Sequence, residues 1–188
     1  MMAHHGKKLL FMGQEFAQFI EWRYYEELEW KLLEIDHHRQ MQTFVASLNN
    51  FYLKQPALWQ CDFTWEGFCW IAHDDADQSV IAFRRFDRQK NELIVLCNFV
   101  PVARRRYRIG LPYCARYRRI FSSNDPTFGG DGFGTEVCMS EKIPMHGLEH
   151  SAEFDIPPLS VTFYRIVKNR VTQTSRTRIP RKASTKKS

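Results

Sequence analysis

The fold prediction starts from residues 7–16, which read Lys7-Lys8-Leu9-Leu10-Phe11-Met12-Gly13-Gln14-Glu15-Phe16. The apolar run inside this stretch is too short for a helix and does not alternate with polar residues. It therefore predicts a strand over 7–12 that is buried on both faces, as in a parallel sheet covered by helices. In parallel α/β folds the loops at the carboxyl ends of strands carry ligands and chemistry, so the residues after this strand are site candidates. No parallel neighbour precedes the strand in the sequence.

A loop follows over 13–22, and the clearest helix then runs from Asp36 to the residues before Pro56. Asp36 is predicted to be its N-cap, because an aspartate side chain accepts hydrogen bonds from free backbone amides. One apolar stripe at three- and four-residue spacing comprises Met41, Phe44, Val45, Leu48, Phe51 and Tyr52. Pro56 ends the helix. Residues 1–57 thus read as a single strand, loop and helix unit.

After Pro56 the pattern changes to short strands separated by turns, without helices between them. The predicted strands are 68–72, 79–86, 92–99, 107–111, 116–121, 151–156 and 160–167, with a long glycine-rich loop over 124–134. This spacing favours an antiparallel β-sandwich over 58–168. The expected fold class is therefore mixed, with a β/α unit followed by an all-β domain.

The net charge of +6 comes from one end of the chain. Residues 169–188 hold seven Lys or Arg and no acid, which leaves 20 basic and 21 acidic residues in the remainder. The tail is predicted to be disordered, either as a solvated terminus or in weak contact with a polyanion. Because the body is nearly neutral, we expect no nucleic-acid partner.

The five cysteines are scattered, odd in number and never spaced as CxxC. This usage predicts reduced thiols in a cytoplasmic protein, without a disulfide framework or a zinc site. No segment of the sequence approaches the length of about 20 apolar residues that a membrane span needs. The run at 9–12 is also too short for a signal peptide.

Taken together, the motifs resemble the carboxy-terminal part of 1,4-α-glucan (glycogen) branching enzymes of the α-amylase superfamily. The resemblance covers residues 2–167 and is carried first by 7–16, Glu21-Trp22, Leu28-Glu29-Trp30 and Gln55-Pro56-Ala57-Leu58. It continues through Glu66-Gly67-Phe68, Cys97-Asn98-Phe99, Pro101-Val102, Tyr107-Arg108-Ile109-Gly110-Leu111-Pro112 and Pro157-Pro158-Leu159. It implies that 1–57 are the eighth strand, loop and helix of a (β/α)8 TIM-type barrel. Residues 58–168 would then be the β-sandwich that follows the barrel.

The resemblance also implies which chemistry the chain lacks. The family forms α-1,6 branches in glycogen biosynthesis through a covalent glycosyl intermediate, using two carboxylates that must lie about 5 Å apart. In the family these catalytic acids stand on barrel strands before the eighth, so no residue here inherits a catalytic role. We therefore expect a fragment that is inactive alone, with no cofactor and no metal.

The substrate-binding candidates are Gln14, Glu15 and Trp22. In the family their loop lies at the rim of the glucan cleft, so the resemblance implies contact with glycogen or amylose. The alternatives are a carboxylate bonded to neighbouring barrel loops and a tryptophan used for packing. The family commonly has Asn-His-Asp or a similar motif after Glu-Trp, whereas Arg23-Tyr24-Tyr25 stands here. The resemblance therefore does not extend to the family's substrate contacts in that stretch.

Three other groups of residues have simpler interpretations. Core or inter-domain packing is predicted for Trp30, Trp59, Trp65 and Trp70. His73-Asp74 resembles a catalytic dipeptide of the family but lies downstream of the eighth strand, so a turn between strands is predicted. His37-His38 cannot share one metal ion readily, because adjacent helical residues point about 100° apart. A solvent-exposed or capping role is predicted for this pair.

Three functional hypotheses follow from the sequence. The first is a carboxy-terminal fragment of a branching enzyme that is inert by itself. The second is a glucan-binding β-sandwich that holds glucan through exposed aromatic residues without catalysis. The third is a complementing fragment, whose partner is the missing amino-terminal barrel portion.

Overall fold

A computed structural model describes residues 1–167, which form one long helix and eight strands. The elements are α1 (Asp36–Lys54), β1 (Phe68–Ala72), β2 (Val80–Phe86), β3 (Glu92–Asn98), β4 (Arg104–Leu111), β5 (Arg116–Ser122), β6 (Val137–Met139), β7 (His150–Ile156) and β8 (Ser160–Ile166). All seven strands predicted after Pro56 are confirmed with bounds within a few residues. Sequence reasoning missed β6, which has three residues and follows the long glycine-rich loop. The predicted tail over 169–188 lies outside the described residues.

The strands form two antiparallel sheets. Six of them pair in the order β1-β2-β3-β8-β5-β6, and β4 pairs with β7 in a second sheet. One core fills the space between the sheets and contains Ile94, Leu96, Ile109, Phe154 and Tyr164. This packing of two antiparallel sheets confirms the predicted all-β domain.

The large sheet is covered on its other face by α1. Phe51 of α1 contacts Phe163 of β8, with ring centroids 4.9 Å apart, and Leu93 and Val95 of β3 belong to the same core. Every residue of β3 is buried, because the strand carries a core on each face. The apolar stripe predicted for α1 is therefore confirmed as its packing face.

The start of α1 differs from the prediction in one detail. Ile35 is the N-cap and makes no side-chain capping bond, while Asp36 is the first helical residue. The carboxylate of Asp36 pairs with Arg39 one turn along the helix instead of with a backbone amide. The predicted capping role of Asp36 is therefore wrong.

The buried strand predicted over 7–12 is also wrong in this structure. No strand forms there, and Leu9, Leu10 and Phe11 are exposed. A strand that is buried on both faces needs paired neighbours and covering helices, and residues 1–167 supply neither at this position. An irregular segment and α1 therefore precede the β-domain in this structure, in place of the expected strand, loop and helix unit.

One helix and several short 3-10 turns make up the helical content of residues 1–167. None of the described helices has the length and apolar character required to cross a membrane.

Candidate functional site

The loop over 13–22 is held in shape by one buried side chain. Gly13 has φ of +80°, a left-handed conformation that favours glycine, and a Cβ there would lie 2.5 Å from the side chain of Gln18. Phe16 is fully buried, and its ring lies 5.3 Å from that of Trp30. The carbonyl oxygen of Phe16 accepts a 2.8 Å hydrogen bond from Nδ1 of His38. The loop is thus fastened to the first turns of α1.

A carboxylate braces the second half of the loop. Oε2 of Glu29 accepts hydrogen bonds from the backbone N–H groups of Phe19 at 3.0 Å and Ile20 at 3.1 Å. Gln18 completes the brace, because its Oε1 accepts from the N–H of Glu29 and its Nε2 donates to the carbonyl of Ile20. No local pattern in the sequence marks Glu29 for this role. The acid-rich stretch offers several glutamates, and only the fold distinguishes the one that faces the loop.

Two of the predicted binding residues lie near one another. Oε1 of Gln14 accepts a 3.1 Å hydrogen bond from the N–H of Phe11, and the ring of Phe11 lies 5.0 Å from that of Trp22. Trp22 is 71% exposed, so one side of its indole is open to a ligand. Glu15 is half-buried and makes no hydrogen bond or ion pair with the residues described here. Gln14 and Trp22 thus lie on either side of Phe11 and present an amide and an open aromatic ring.

Beside this surface lies a cavity of about 780 Å³ between α1 and the large sheet. Gln14 and Leu10 line its edge, Phe44 and Leu48 come from α1, and Phe83 comes from β2. Most of the lining is apolar. Of the predicted binding residues, only Gln14 reaches it.

The four tryptophans predicted to pack are partly exposed. Within residues 1–167 Trp30, Trp59, Trp65 and Trp70 all keep a substantial accessible surface, so none of them is a core residue, and the alternative of inter-domain packing stays a prediction. Trp65 lies just before the edge strand β1, and Trp70 lies in β1 itself. This strand has a neighbouring strand on one side only. A side chain at such an edge has too few neighbours to bury it.

The two histidine predictions have different outcomes. His73-Asp74 stands in the turn between β1 and β2, as predicted. His37 is exposed and contacts Gln40, also as predicted. For His38 the prediction is wrong, because the ring is buried and bonded to Phe16.

A second group of titratable residues surrounds the turn after β1. Tyr107 donates a hydrogen bond to the carboxylate of Asp75, and burial together with this bond raises the pKa of the Tyr107 hydroxyl. Burial lowers the pKa of His146, while Asp74 and Asp75 oppose that change. His146 accepts a hydrogen bond from the N–H of Gly110 at 3.2 Å. The bond from Tyr107 to Asp75 links β4 of the smaller sheet to the turn after β1 of the large sheet.

The described residues contain no group of three or more His, Cys, Asp or Glu side chains arranged to hold a metal ion. All five cysteines are free. The loop surface offers an exposed aromatic ring at Trp22 and a side-chain amide at Gln14.

Comparisons with known proteins agree on the β-domain. The family described as "Alpha amylase, C-terminal all-beta domain" matches residues 70–167. The 1,4-alpha-glucan branching enzyme GlgB of Halothermothrix orenii is 42% identical over 167 residues, which are 88% of this chain and 26% of that protein. The enzyme of the same name from Francisella tularensis subsp. novicida is 41% identical over 172 residues, 89% of this chain and 27% of that protein.

The chain thus spans about a quarter of the length of the curated relatives that it matches. Among solved structures, the pullulanase SAP of group B Streptococcus aligns with 69% of this chain and 16% of its own, with a TM-score of 0.42 and 14% identity.

Proposed function

We propose that this chain, which belongs to the family of the alpha amylase C-terminal all-beta domain, is the carboxy-terminal part of a 1,4-α-glucan branching enzyme. The observation that carries the proposal is the identity of 41–42% with branching enzymes over almost nine tenths of the chain. Residues 1–57 would complete a catalytic barrel, and 58–168 would form the domain behind it. The substrate would be an α-glucan such as glycogen or amylose.

The exposed apolar residues of the amino-terminal segment support this division. Leu9 is 67% exposed, and Phe19, Trp22 and Tyr24 are more exposed still. Large apolar side chains exposed in this number within one short segment indicate an interaction site, and two of them, Phe11 and Trp22, are in ring contact. The remaining barrel strands would cover these side chains and would pair with the extended segment over 7–12. A cytoplasmic location stays a prediction from the cysteine usage.

We further propose that the 188 residues alone do not branch glucan, since in the family the catalytic acids precede the eighth strand. The test is iodine staining of amylose incubated with the purified chain. The same assay is then run after co-expression with the preceding three quarters of the Halothermothrix orenii enzyme. We expect unchanged staining with the chain alone and loss of absorbance with the pair. Branching in proportion to the chain alone would overturn the proposal of inactivity.

Two leucines of equal exposure supply matched variants for the co-expression. Leu9 is 67% exposed and lies in the proposed barrel strand, whereas Leu53 is 68% exposed and lies near the end of α1. Leu9→Glu should prevent recovery of a complex, and Leu53→Glu should leave it intact. Recovery of only unassociated wild-type chains would count against the barrel-completing role.

A second candidate function is a glucan-binding module without catalysis. It is favoured by the exposure of Trp65 (86%) and Trp70 (42%) along the open edge of the large sheet. An exposed indole ring can stack on the apolar face of a sugar ring. Native electrophoresis in gels with and without glycogen tests this function. Retardation that Trp65→Ala weakens, while Tyr113→Ala at another exposed position does not, would support it, and equal mobility in both gels would exclude it.

A further inference from the structure

Three arginines stand together on one face of the large sheet. Arg118 of β5 lies directly opposite Arg165 of β8 in the antiparallel pairing, and Arg116 lies two residues before Arg118 on the same face. All three side chains are exposed. On a strand, positions two apart are separated by about 7 Å, and side chains directly opposite start about 5 Å apart. We call Arg116, Arg118 and Arg165 the arginine triangle.

The triangle has no acidic partner within residues 1–167. Arg116 and Arg118 take part in none of the ion pairs there, and Arg165 donates only to the amide oxygen of Gln55. Other arginines of the sandwich are neutralised, since Arg106 and Arg108 both pair with Glu153. Like charges directly opposite each other in a sheet are destabilising. The fold therefore holds three cations together without an internal group that offsets their repulsion.

A cleft of about 410 Å³ opens beside the triangle, lined by Arg118, Arg119 and Val137 among others. The two acidic residues that line the cleft already have partners. Glu136 pairs with Arg119 at 3.2 Å, and Asp125 accepts from the N–H of Thr127 at 2.9 Å. With Arg119 included, four arginines face two acids, which leaves an excess of two positive charges. A compact dianion would balance that excess.

We propose that the arginine triangle binds a phosphomonoester group. The planar guanidinium offers paired donors that match phosphate oxygens two at a time, and three such groups can converge on one tetrahedral anion from adjacent corners. The compact arrangement favours one multiply charged group over an extended polyanion. That the group is carried by a carbohydrate, as a small sugar phosphate or on a glucan chain, rests on the proposed function.

The anion site itself is tested without any glucan. Isothermal titration calorimetry of the full chain with inorganic phosphate should show binding. The double variant Arg118→Ala/Arg165→Ala should weaken it at least tenfold. Arg118→Lys/Arg165→Lys keeps the charge but loses the paired donors, so we expect a several-fold loss. Circular dichroism establishes that each variant is folded.

The control for net charge is Arg106→Ala/Arg108→Ala on the smaller sheet. It removes the same charge from arginines that are already paired with Glu153. We expect phosphate affinity within twofold of wild type. An equal loss in both double variants would mean non-specific attraction and would overturn the proposal, as would absence of phosphate binding by the wild-type chain.

Two further experiments identify the molecule that carries the phosphate group. Glucose 6-phosphate is titrated in place of inorganic phosphate, and phosphorylated amylopectin is compared in native gels before and after phosphatase treatment. Retardation that phosphatase abolishes assigns the site to a glucan-borne phosphate. Binding of glucose 6-phosphate with equal retardation in both gels assigns it to a small sugar phosphate. Because the phosphate titration involves no glucan, its failure is distinguishable from a failure of glucan binding.

Discussion

Arg85 and Asp62 form a buried ion pair, with Nη2 of the arginine 2.7 Å from Oδ1 of the aspartate. Arg85 on β2 is 0% exposed and Asp62 is 5% exposed. The remaining donors of the guanidinium reach the carbonyl oxygens of Ala3, Leu58 and Gly67. The other oxygen of Asp62 accepts from Nζ of Lys8 at 2.9 Å. One side chain of the sheet thus fixes the amino-terminal segment and the turns after α1.

Replacing this arginine should be costly. In Arg85→Ala, Asp62 would keep its negative charge inside the protein with only Lys8 as partner, and three carbonyls would lose their donor. Removing one member of a buried ion pair costs about 3–5 kcal/mol. We expect a decrease of that size in the free energy of unfolding, measured by urea denaturation.

Arg106→Ala is the matched control, since it breaks the exposed pair with Glu153. Exposed pairs contribute little because water screens them. A loss in Arg85→Ala no larger than that in Arg106→Ala would show that the buried pair does not hold the segment.

Removing the brace of the candidate loop should loosen it without unfolding the protein. In Glu29→Ala the N–H groups of Phe19 and Ile20 lose their acceptor. Hydrogen exchange at these two amides should then accelerate at least tenfold, because their protection requires the hydrogen bond. Glu26→Ala, which breaks only the exposed pair with Arg23, serves as the control. Unchanged protection in Glu29→Ala would exclude the bracing role.

The stability of the protein should fall as the solution becomes mildly acidic. Burial, with the nearby charges of His4 and Arg85 acting in the same direction, lowers the pKa of His5 from its ordinary value of 6.5, while Asp62 opposes this. Nδ1 of His5 is buried without a hydrogen-bond partner in the described part of the chain. Below pH 6.5 the unfolded chain therefore binds more protons than the folded one, and stability is lost as pH falls through the folded pKa.

Thermal unfolding between pH 7.5 and 5.5 measures this effect. The midpoint temperature of unfolding should decrease as the pH falls in the wild type, and it should decrease less in His5→Gln. His146, whose pKa burial also lowers, contributes in the same direction and remains in that variant. His37→Gln on the exposed face of α1 should keep the wild-type slope. Identical slopes in the wild type and His5→Gln would contradict the assignment.

The sequence was most informative where a local pattern decides the structure. Each of β2, β3 and β8 is bounded by turn residues and rich in branched or aromatic side chains, and α1 carries a complete apolar stripe. The prediction of a strand over 7–12 was wrong for the opposite reason. Its pattern describes a strand whose neighbours lie elsewhere, and without them Leu9 is exposed. Local sequence cannot indicate whether the partners of a parallel strand are present.

The sites show the same distinction. Gln14 and Trp22 could be named because they follow one apolar run closely. The role of Glu29 depends on how the chain folds back on the loop at 19–20. The arginine triangle depends on the register of β5 against β8, which sets Arg118 opposite a residue 47 positions later in the chain. No local sequence pattern distinguishes Glu29 or the arginine triangle, because glutamate and arginine are ordinary residues at exposed positions.

The opposed arginines make one last prediction about stability. Arg118→Glu would place a carboxylate directly opposite Arg165, so a repulsive cross-strand pair would become attractive. Opposed charge pairs in a sheet contribute about 0.2–1 kcal/mol, and relief of repulsion adds to the gain. We expect a higher urea midpoint with an unchanged slope. Arg116→Glu, which makes the same charge change opposite Met139, should gain less, because no arginine faces it directly. Equal gains in both variants would indicate a general effect of net charge, and a lower midpoint in Arg118→Glu would show that the two guanidinium groups do not repel each other.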